Sequence, residues 1–395
     1  MRELEVYIAN KELVKNRFYG ITTLILPATQ DAISDALYRA EVKNNEAYNI
    51  ECCSGWPESL EQIIDNIDDK SLEEVNLFAY QVAQMDKSEI QTLEGAIQLR
   101  EEENTDVPIT IKEVINLAYN LDCYEYHPYV KNDFTLGSMA LKNNMLDTIS
   151  GLSEDALELL DLEKVGQEMR RCDMGTFTKD GYILPNRKAH QELYDGIHLP
   201  EIPDMPKGVI SVLLVSADKE QEDGVWFELP ASKNNMKNVL KQLGENSFDN
   251  CLIKESISSA FPYELAGDED IQKLNTLAQK IKEFPDQKML AKFKAALELE
   301  LCSDIDFALD LTENLDCYDY DSEIRSPAEY AEYLFKEAGF DTNDYAFSMF
   351  DFKGYGERAM EKVGYIQTNY GVISRNETAF IPNYSKTQGM QMGGM

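Results

Sequence analysis

The feature that most constrains this chain is that it says things twice. Asn120-Leu121-Asp122-Cys123-Tyr124-Glu125-Tyr126 returns as Asn314-Leu315-Asp316-Cys317-Tyr318-Asp319-Tyr320, with only Glu exchanged for Asp. Asp161, Gly166, Gly181, Ile183 and Asn186 recur 190 positions later as Asp351, Gly356, Gly371, Ile373 and Asn376, and Leu26-Pro27 recurs at an offset of 203 as Leu229-Pro230. An offset sliding from 203 through 194 to 190 is what loop insertions and deletions between ordered elements produce. Two related halves are expected, so the fold must be one that the chain can build twice.

At 395 residues the chain exceeds what one hydrophobic core usually serves, and its 43% hydrophobic content is enough to bury one in each half. The formal net charge of −35 is shared between the halves: residues 1–200 hold 37 acidic and 18 basic groups, residues 201–395 hold 35 and 19. Acidity therefore belongs to the repeated unit and not to a tail. No run of 18 apolar residues occurs, and Met1-Arg2-Glu3 leads directly into strand-like sequence, which gives no support to a secretory or membrane reading. The seven cysteines are an odd count with no metal-site spacing, as expected of free, mostly buried thiols in a cytoplasmic protein.

Residues 5–9 and 209–215 are β-rich openings, each followed by a second strand that ends at a Leu-Pro pair. Thr29 or Asp31, and Ser232, can then cap a helix. Apolar residues three and four apart predict helices over 72–85, 89–100, 271–284 and 287–301, with corners at Asp86-Lys87-Ser88 and Pro285-Asp286. Further helices are predicted over 111–119 and 305–311, near Asp133 and Ser326-Pro327, and from Asp161 and Asp351. The expected fold class is α+β: an elongated multidomain protein with an internal duplication, each half a small α/β unit followed by mainly helical subdomains. The first unit spans 1–184 (α/β to 50, helical 51–108, helical with a terminal hairpin 109–184), and 185–208 is a proline-rich linker. The second unit spans 209–382 (209–265, 266–303, 304–382), and 383–395 is expected to be a disordered tail.

Catalytic signals are missing. The three histidines, His127, His190 and His198, are few for metal or general-base work, and no glycine-rich phosphate loop, HExxH, nucleophile elbow or EF-hand pattern occurs. Cys123 and Cys317 share a repeated context without a repeated histidine, since His127 corresponds to Asp321, so burial is the expected role. Carboxylates are too abundant for any one pair to stand out as acid and base. The expectation is a protein that is not an enzyme and needs no cofactor or metal.

What remains is electrostatic. Acidic groups thicken around 58–74, 101–106, 154–168, 220–228, 268–270 and 298–323. Duplex DNA carries a charge about every 1.7 Å, so 35 net charges match a rod ~60 Å long, about 18 base pairs. Such a surface repels DNA and attracts proteins that hold DNA. The alternative is a non-enzymatic interaction scaffold with duplicated surfaces, its acidity serving solubility and its anchors exposed aromatics such as Trp56, Tyr124 and Tyr318.

Val6-Tyr7-Ile8-Ala9-Asn10, the strand ending in Leu26-Pro27, the acidic helical middle, and Leu162-Glu163-Lys164-Val165-Gly166 followed by Gly181-Tyr182-Ile183 resemble the ArdA-type antirestriction proteins. The second half repeats the resemblance in Trp226 to Pro230, Ile271 to Ala278 and Phe352 to Arg358. That family consists of elongated, acidic, three-domain proteins of mobile elements that dimerise into DNA-shaped inhibitors of type I restriction–modification enzymes. The resemblance implies a type I restriction–modification complex as partner, with no direct binding of nucleic acid or membrane, and a pseudo-dimeric monomer or a homodimer. Two units stand in tandem here, and Lys11 to Arg17 replaces the family's glycine-rich loop after Asn10. The candidate phosphate surrogates are Glu61, Asp65, Asp68, Glu73, Glu154, Asp155, Glu158, Glu264, Asp268, Asp270, Glu298, Glu300, Glu323, Glu329 and Glu332.

Overall fold

The computed structural model describes residues 3–13, 20–43, 46–146, 148, 151–203, 205–219, 224–261, 265 and 267–385; at residue 154 only the backbone is described. Glu264, most of the Lys11 to Arg17 segment and the tail beyond 385 thus lie outside the described residues.

In chain order the elements are β1 (Leu4–Asn10), β2 (Ile21–Leu26), α1 (Gln30–Arg39), β3 (Tyr48–Ser54), α2 (Glu58–Asp65), α3 (Leu72–Gln84), α4 (Lys87–Glu103), α5 (Ile111–Tyr119), β4 (Tyr124–Pro128), α6 (Asp133–Lys142), α7 (Glu154–Leu157), α8 (Leu162–Asp173), β5 (Thr176–Phe177) and β6 (Gly181–Pro185). Then follow β7 (Ile210–Ser216), β8 (Val225–Leu229), α9 (Lys233–Leu243), β9 (Cys251–Ile257), α10 (Ile271–Lys282), α11 (Gln287–Leu299), α12 (Ile305–Glu313), β10 (Tyr318–Asp321), α13 (Pro327–Glu337), α14 (Phe352–Val363), β11 (Ile366–Thr368) and β12 (Gly371–Arg375). The mixed α+β class is as the sequence predicts. The chain divides into two compact units: Met1–Ala28 with Asn45–Met205, and Thr29–Asn44 with Pro206–Met395.

In unit 1 the first sheet has the order β2-β1-β3, all antiparallel. Leu4, Val6 and Ile8 alternate with more exposed neighbours, and Leu24, Leu26, Ile50 and Cys52 join them in the core. β3 runs across the boundary expected at 50/51, because Ile50 and Cys52 continue one alternating face. Trp56 is buried too: its indole donates to the Glu5 carbonyl at 3.0 Å and its ring stacks on Phe78. Ser71 and Asp86 start α3 and α4 with reciprocal capping boxes. The second sheet has the order β4-β6-β5, and the helices α6 and α8, which lie between β4 and β5 in the chain, pack so closely that a Cβ on Gly166 would fall 1.8 Å from the Asp133 carbonyl oxygen.

Unit 2 has the same orders, β8-β7-β9 and β10-β12-β11. Gly356 of α14 meets α13 as Gly166 meets α6, with an added Cβ 1.7 Å from the Pro327 carbonyl oxygen. Ser326 caps α13 and Pro327 fills its first turn. The closing glycines serve close approach: a Cβ on Gly181 would lie 2.7 Å from the His127 carbonyl oxygen, one on Gly371 (φ 138°) 2.2 Å from that of Asp321. Asn76 receives the amide of Ala28 after one Leu-Pro pair, and Asn275 receives that of Ala231 after the other.

Two extended straps complete the units. In unit 1 the Asn186 amide donates to the Cys123 carbonyl, Asn120 brackets both backbone polar groups of Gln191, and Asn116 accepts from the amides of Leu193 and Tyr194. The first part of the expected linker is therefore tied down by side chains. In unit 2 the Asn376 amide donates to the Cys317 carbonyl, Asn314 brackets Ile381, and Asp310 accepts from the amides of Asn383, Tyr384 and Ser385. The segment expected to be disordered from 383 thus begins with three anchored residues.

α1 also departs from the expected partition, since it belongs to the compact unit of the second half. Its Asp35 is buried against Lys294 of α11, and its Tyr38 lies by Tyr370 and Arg325.

Candidate acidic interaction surface

Helix α2 shows how local structure makes a row of charge. Leu60 and Ile64 face the core, which leaves Glu58, Glu61 and Asp65, spaced three and four apart, on the other side. At ~1.5 Å rise per residue that row spans about 10 Å, a length over which one DNA strand sets about three phosphates. Asp65 accepts the Cys52 amide at 2.8 Å, which ties the row to β3. Asp68 is exposed beyond it, and Glu73 stands half-buried in the first turn of α3, where the helix dipole favours a carboxylate. Asp155 of α7 and nearby Glu158 are exposed, and the side chain of Glu154 lies outside the described residues.

In unit 2 Asp268 and Asp270 are exposed, and Asp270 also caps α10 by accepting from Gln272 and Lys273. The carboxylates of Asp268, Asp304 and Asp306 surround Glu269, and burial followed by these like charges raises its carboxyl above the usual range. Lys273 bridges to Asp306 at 2.6 Å inside this cluster.

Other predicted carboxylates are engaged within the fold. Glu298 accepts from the backbone and side chain of Asn369, and Glu300 holds Arg375 at 2.5 Å and the Tyr318 hydroxyl at 2.8 Å. Glu323 pairs with Lys43, and Glu332 reaches Lys336. Glu329 accepts the Arg325 amide while its own amide donates to the Ser326 hydroxyl. Acidic groups outside the predicted set are exposed as well: Glu101, Glu103 and Asp106 at the end of α4, and Glu357 and Glu361 on α14. Their signal was present as a charge run and an i,i+4 pair.

The aromatic anchors do not fit an exposed role. Trp56 is 8% exposed, Tyr318 is 2% exposed, and Tyr124 is half-buried, edge-on to His190. Exposed aromatic surface lies instead between α13 and α14, where Phe335, Phe347, Phe350 and Phe352 pack together with Phe340 and Tyr345 at the rim. Cys123 and Cys317 are buried, and burial pushes the Cys123 thiol up, away from reactivity. Among the described residues no group of three His, Cys, Asp or Glu could hold a metal ion, and no helix is long and apolar enough to cross a membrane.

These features define an acidic α+β protein whose helices display carboxylates in rows and clusters. A family model described as antirestriction protein (ArdA) matches residues 221–374, from the approach to β8 through most of β12, well under half of the 395-residue chain. No curated protein matches the chain. The second half is therefore similar to the ArdA antirestriction proteins, a family of inhibitors that act on restriction enzymes without catalysis of their own.

Proposed function

We propose that this protein is a DNA-mimic antirestriction protein, built of two ArdA-like units, that occupies the DNA-binding channel of a type I restriction–modification enzyme. The observation that carries the reading is the family match over 221–374 joined to carboxylates held in rows on rigid elements. The recurrence of sheet order, glycine contact and strap in both halves supports the tandem reading. Asp68, Asp155, Glu158 and Asp268 are the strongest of the predicted surrogates, being exposed, whereas Glu298, Glu300, Glu329 and Glu332 serve the fold first.

Binding of this kind exchanges one polyanion for another on the enzyme's Lys and Arg groups and so weakens as salt rises. The test is displacement of labelled duplex DNA from a purified type I complex by the intact protein. Displacement that fades with salt supports the reading; no binding at low salt overturns it.

The exposed cluster around Phe340 and Tyr345 favours a second reading, an interaction scaffold. A scaffold loses its partner when Phe340 and Tyr345 become serine and tolerates loss of dispersed charge. A mimic shows the opposite ranking.

A further inference from the structure

The two units treat one position at the end of their second sheets differently. In unit 2 Arg375 closes β12 and Phe380 follows on the strap. The Arg375 guanidinium lies 5.6 Å over the Tyr318 ring and 5.1 Å over that of Phe380, and its Nε donates to Glu300 at 2.5 Å. The Tyr318 hydroxyl donates to the same carboxylate at 2.8 Å. Unit 2 thus lays its own arginine on an aromatic wall, with one carboxylate receiving both the guanidinium and the phenol.

Unit 1 keeps the wall and lacks the arginine. Tyr124 pairs with Pro185 across β4 and β6 in the register in which Tyr318 pairs with Arg375. The straps share the offset of 190, because the amides of Asn186 and Asn376 donate to the Cys123 and Cys317 carbonyls, and this sets His190 where Phe380 stands. A proline ring is too short to cross the tyrosine. Tyr124, Pro185 and His190 line a cleft of about 720 Å³ together with apolar Leu99, Leu117 and Met174. That size falls in the ~300–1,000 Å³ range of ligand pockets.

Three acids and two bases line this cleft, and both bases are taken. Arg100 stands at the position of Glu300, counted from the caps Asp86 and Asp286. Its Nε and Nη2 meet Glu113 at 2.8 Å and its Nη1 donates to the Val107 carbonyl at 2.8 Å. Lys112 pairs with Glu192 at 2.5 Å. Glu103, one turn beyond Arg100, is left over: it has no hydrogen bond or ion pair among the described residues, and neither has the Tyr124 hydroxyl a hydrogen bond. Burial first, then the nearby Cys123 and Glu103, push that phenol up to about 12, so it stays neutral beside the carboxylate.

We propose that the Tyr124–Glu103 cleft takes an arginine side chain of the partner protein, its guanidinium laid on Tyr124 and donating to Glu103, as Arg375 does with Tyr318 and Glu300. A guanidinium offers a flat face and several donors at once, which an ammonium does not. That the partner is a protein holding DNA rests on the functional reading; the arginine site itself does not.

Titration of the intact, isotope-labelled chain with N-acetyl-arginine amide, followed by heteronuclear NMR, tests this. Saturable shifts of Tyr124 and His190 are expected in the millimolar range, with N-acetyl-lysine amide at least about fivefold weaker. Glu103→Gln, at an exposed helix end, should weaken arginine binding by about fivefold or more. Pro185→Arg should abolish it by supplying the missing side chain from within, in a register that unit 2 already accommodates. No saturable shift at the cleft, equal binding of the lysine probe, or Pro185→Arg that binds as the wild type does overturns the proposal. No restriction enzyme enters the measurement, so its failure leaves DNA competition by the carboxylate rows untouched, and the reverse holds too.

Discussion

Lys294 on α11 and Asp35 on α1, 259 residues apart in sequence, form an ion pair with Nζ 2.5 Å from Oδ1 and side chains 4% and 9% exposed. Burial pulls the lysine below its usual range, and the neighbouring aspartate pulls it back. Replacing Lys294 by alanine leaves the buried Asp35 to Arg39 and the Tyr370 hydroxyl and is expected to destabilise unit 2 by about 1 to 3 kcal/mol. Adding Asp35→Asn should recover much of that loss. Urea denaturation of the two single variants and the double variant checks the coupling.

Glu41, just beyond α1, gives a pH signature. Burial, first of all, raises its carboxyl from 4.5 to about 7, against the pull of Arg325. Between those values the folded chain keeps a proton that the unfolded chain releases, so this group's contribution is full below pH 4.5 and is lost as pH rises through about 7. Glu41→Gln should remove that part of the slope, gaining most relative to wild type above pH 7. Parallel pH–stability curves for the two proteins would show the assignment to be wrong.

The glycine contacts predict steric damage that comes in pairs. Gly166→Ala and Gly356→Ala each place a methyl group against a backbone oxygen that cannot rotate away, at 1.8 and 1.7 Å. Each should cost at least about 1 to 3 kcal/mol by forcing a helix pair apart. Thermal unfolding midpoints of the two variants measure it.

Asp310 gathers the second strap. Burial pushes its carboxyl up, but the hydroxyl and amide of Ser385 and the amides of Tyr384 and Asn383 outweigh this and hold it below its usual 3.8. Its contribution is therefore present above pH 3.8 and lost only in stronger acid. Asp310→Ala should release residues 383–385, seen as faster proteolysis there with α12 and the strap anchored at Asn376 and Ile381 still protected.

Much of this fold could be read from sequence because its signals are local. Thr29, Ser232, Ser326, Asp161 and Asp351 all cap the helices assigned to them, whereas the strands β4 and β10 that follow the repeated NLDCY run were not among the expected elements. What escaped depends on distant partners. The pairing of α1 with the second unit hinges on Asp35 finding Lys294, and only two charges set among apolar neighbours hinted at it. Glu300 looks like surface charge until Arg375 and Tyr318 close on it. Trp56 resembles an exposed anchor until its indole meets the Glu5 carbonyl.

Occupation of a phosphate-binding site by ordered rows of carboxylate is tested most directly by competition between this protein and duplex DNA for a purified type I restriction–modification complex. The wild type is compared with a variant in which Glu58, Glu61, Asp65 and Asp68 are changed to the corresponding amides. The wild type is expected to displace DNA in proportion to its concentration and the four-amide variant, still folded, to do so measurably less well, each exposed change costing little alone. Wild type that leaves DNA bound at low salt, or a variant that competes equally while Phe340→Ser abolishes binding, would contradict DNA mimicry.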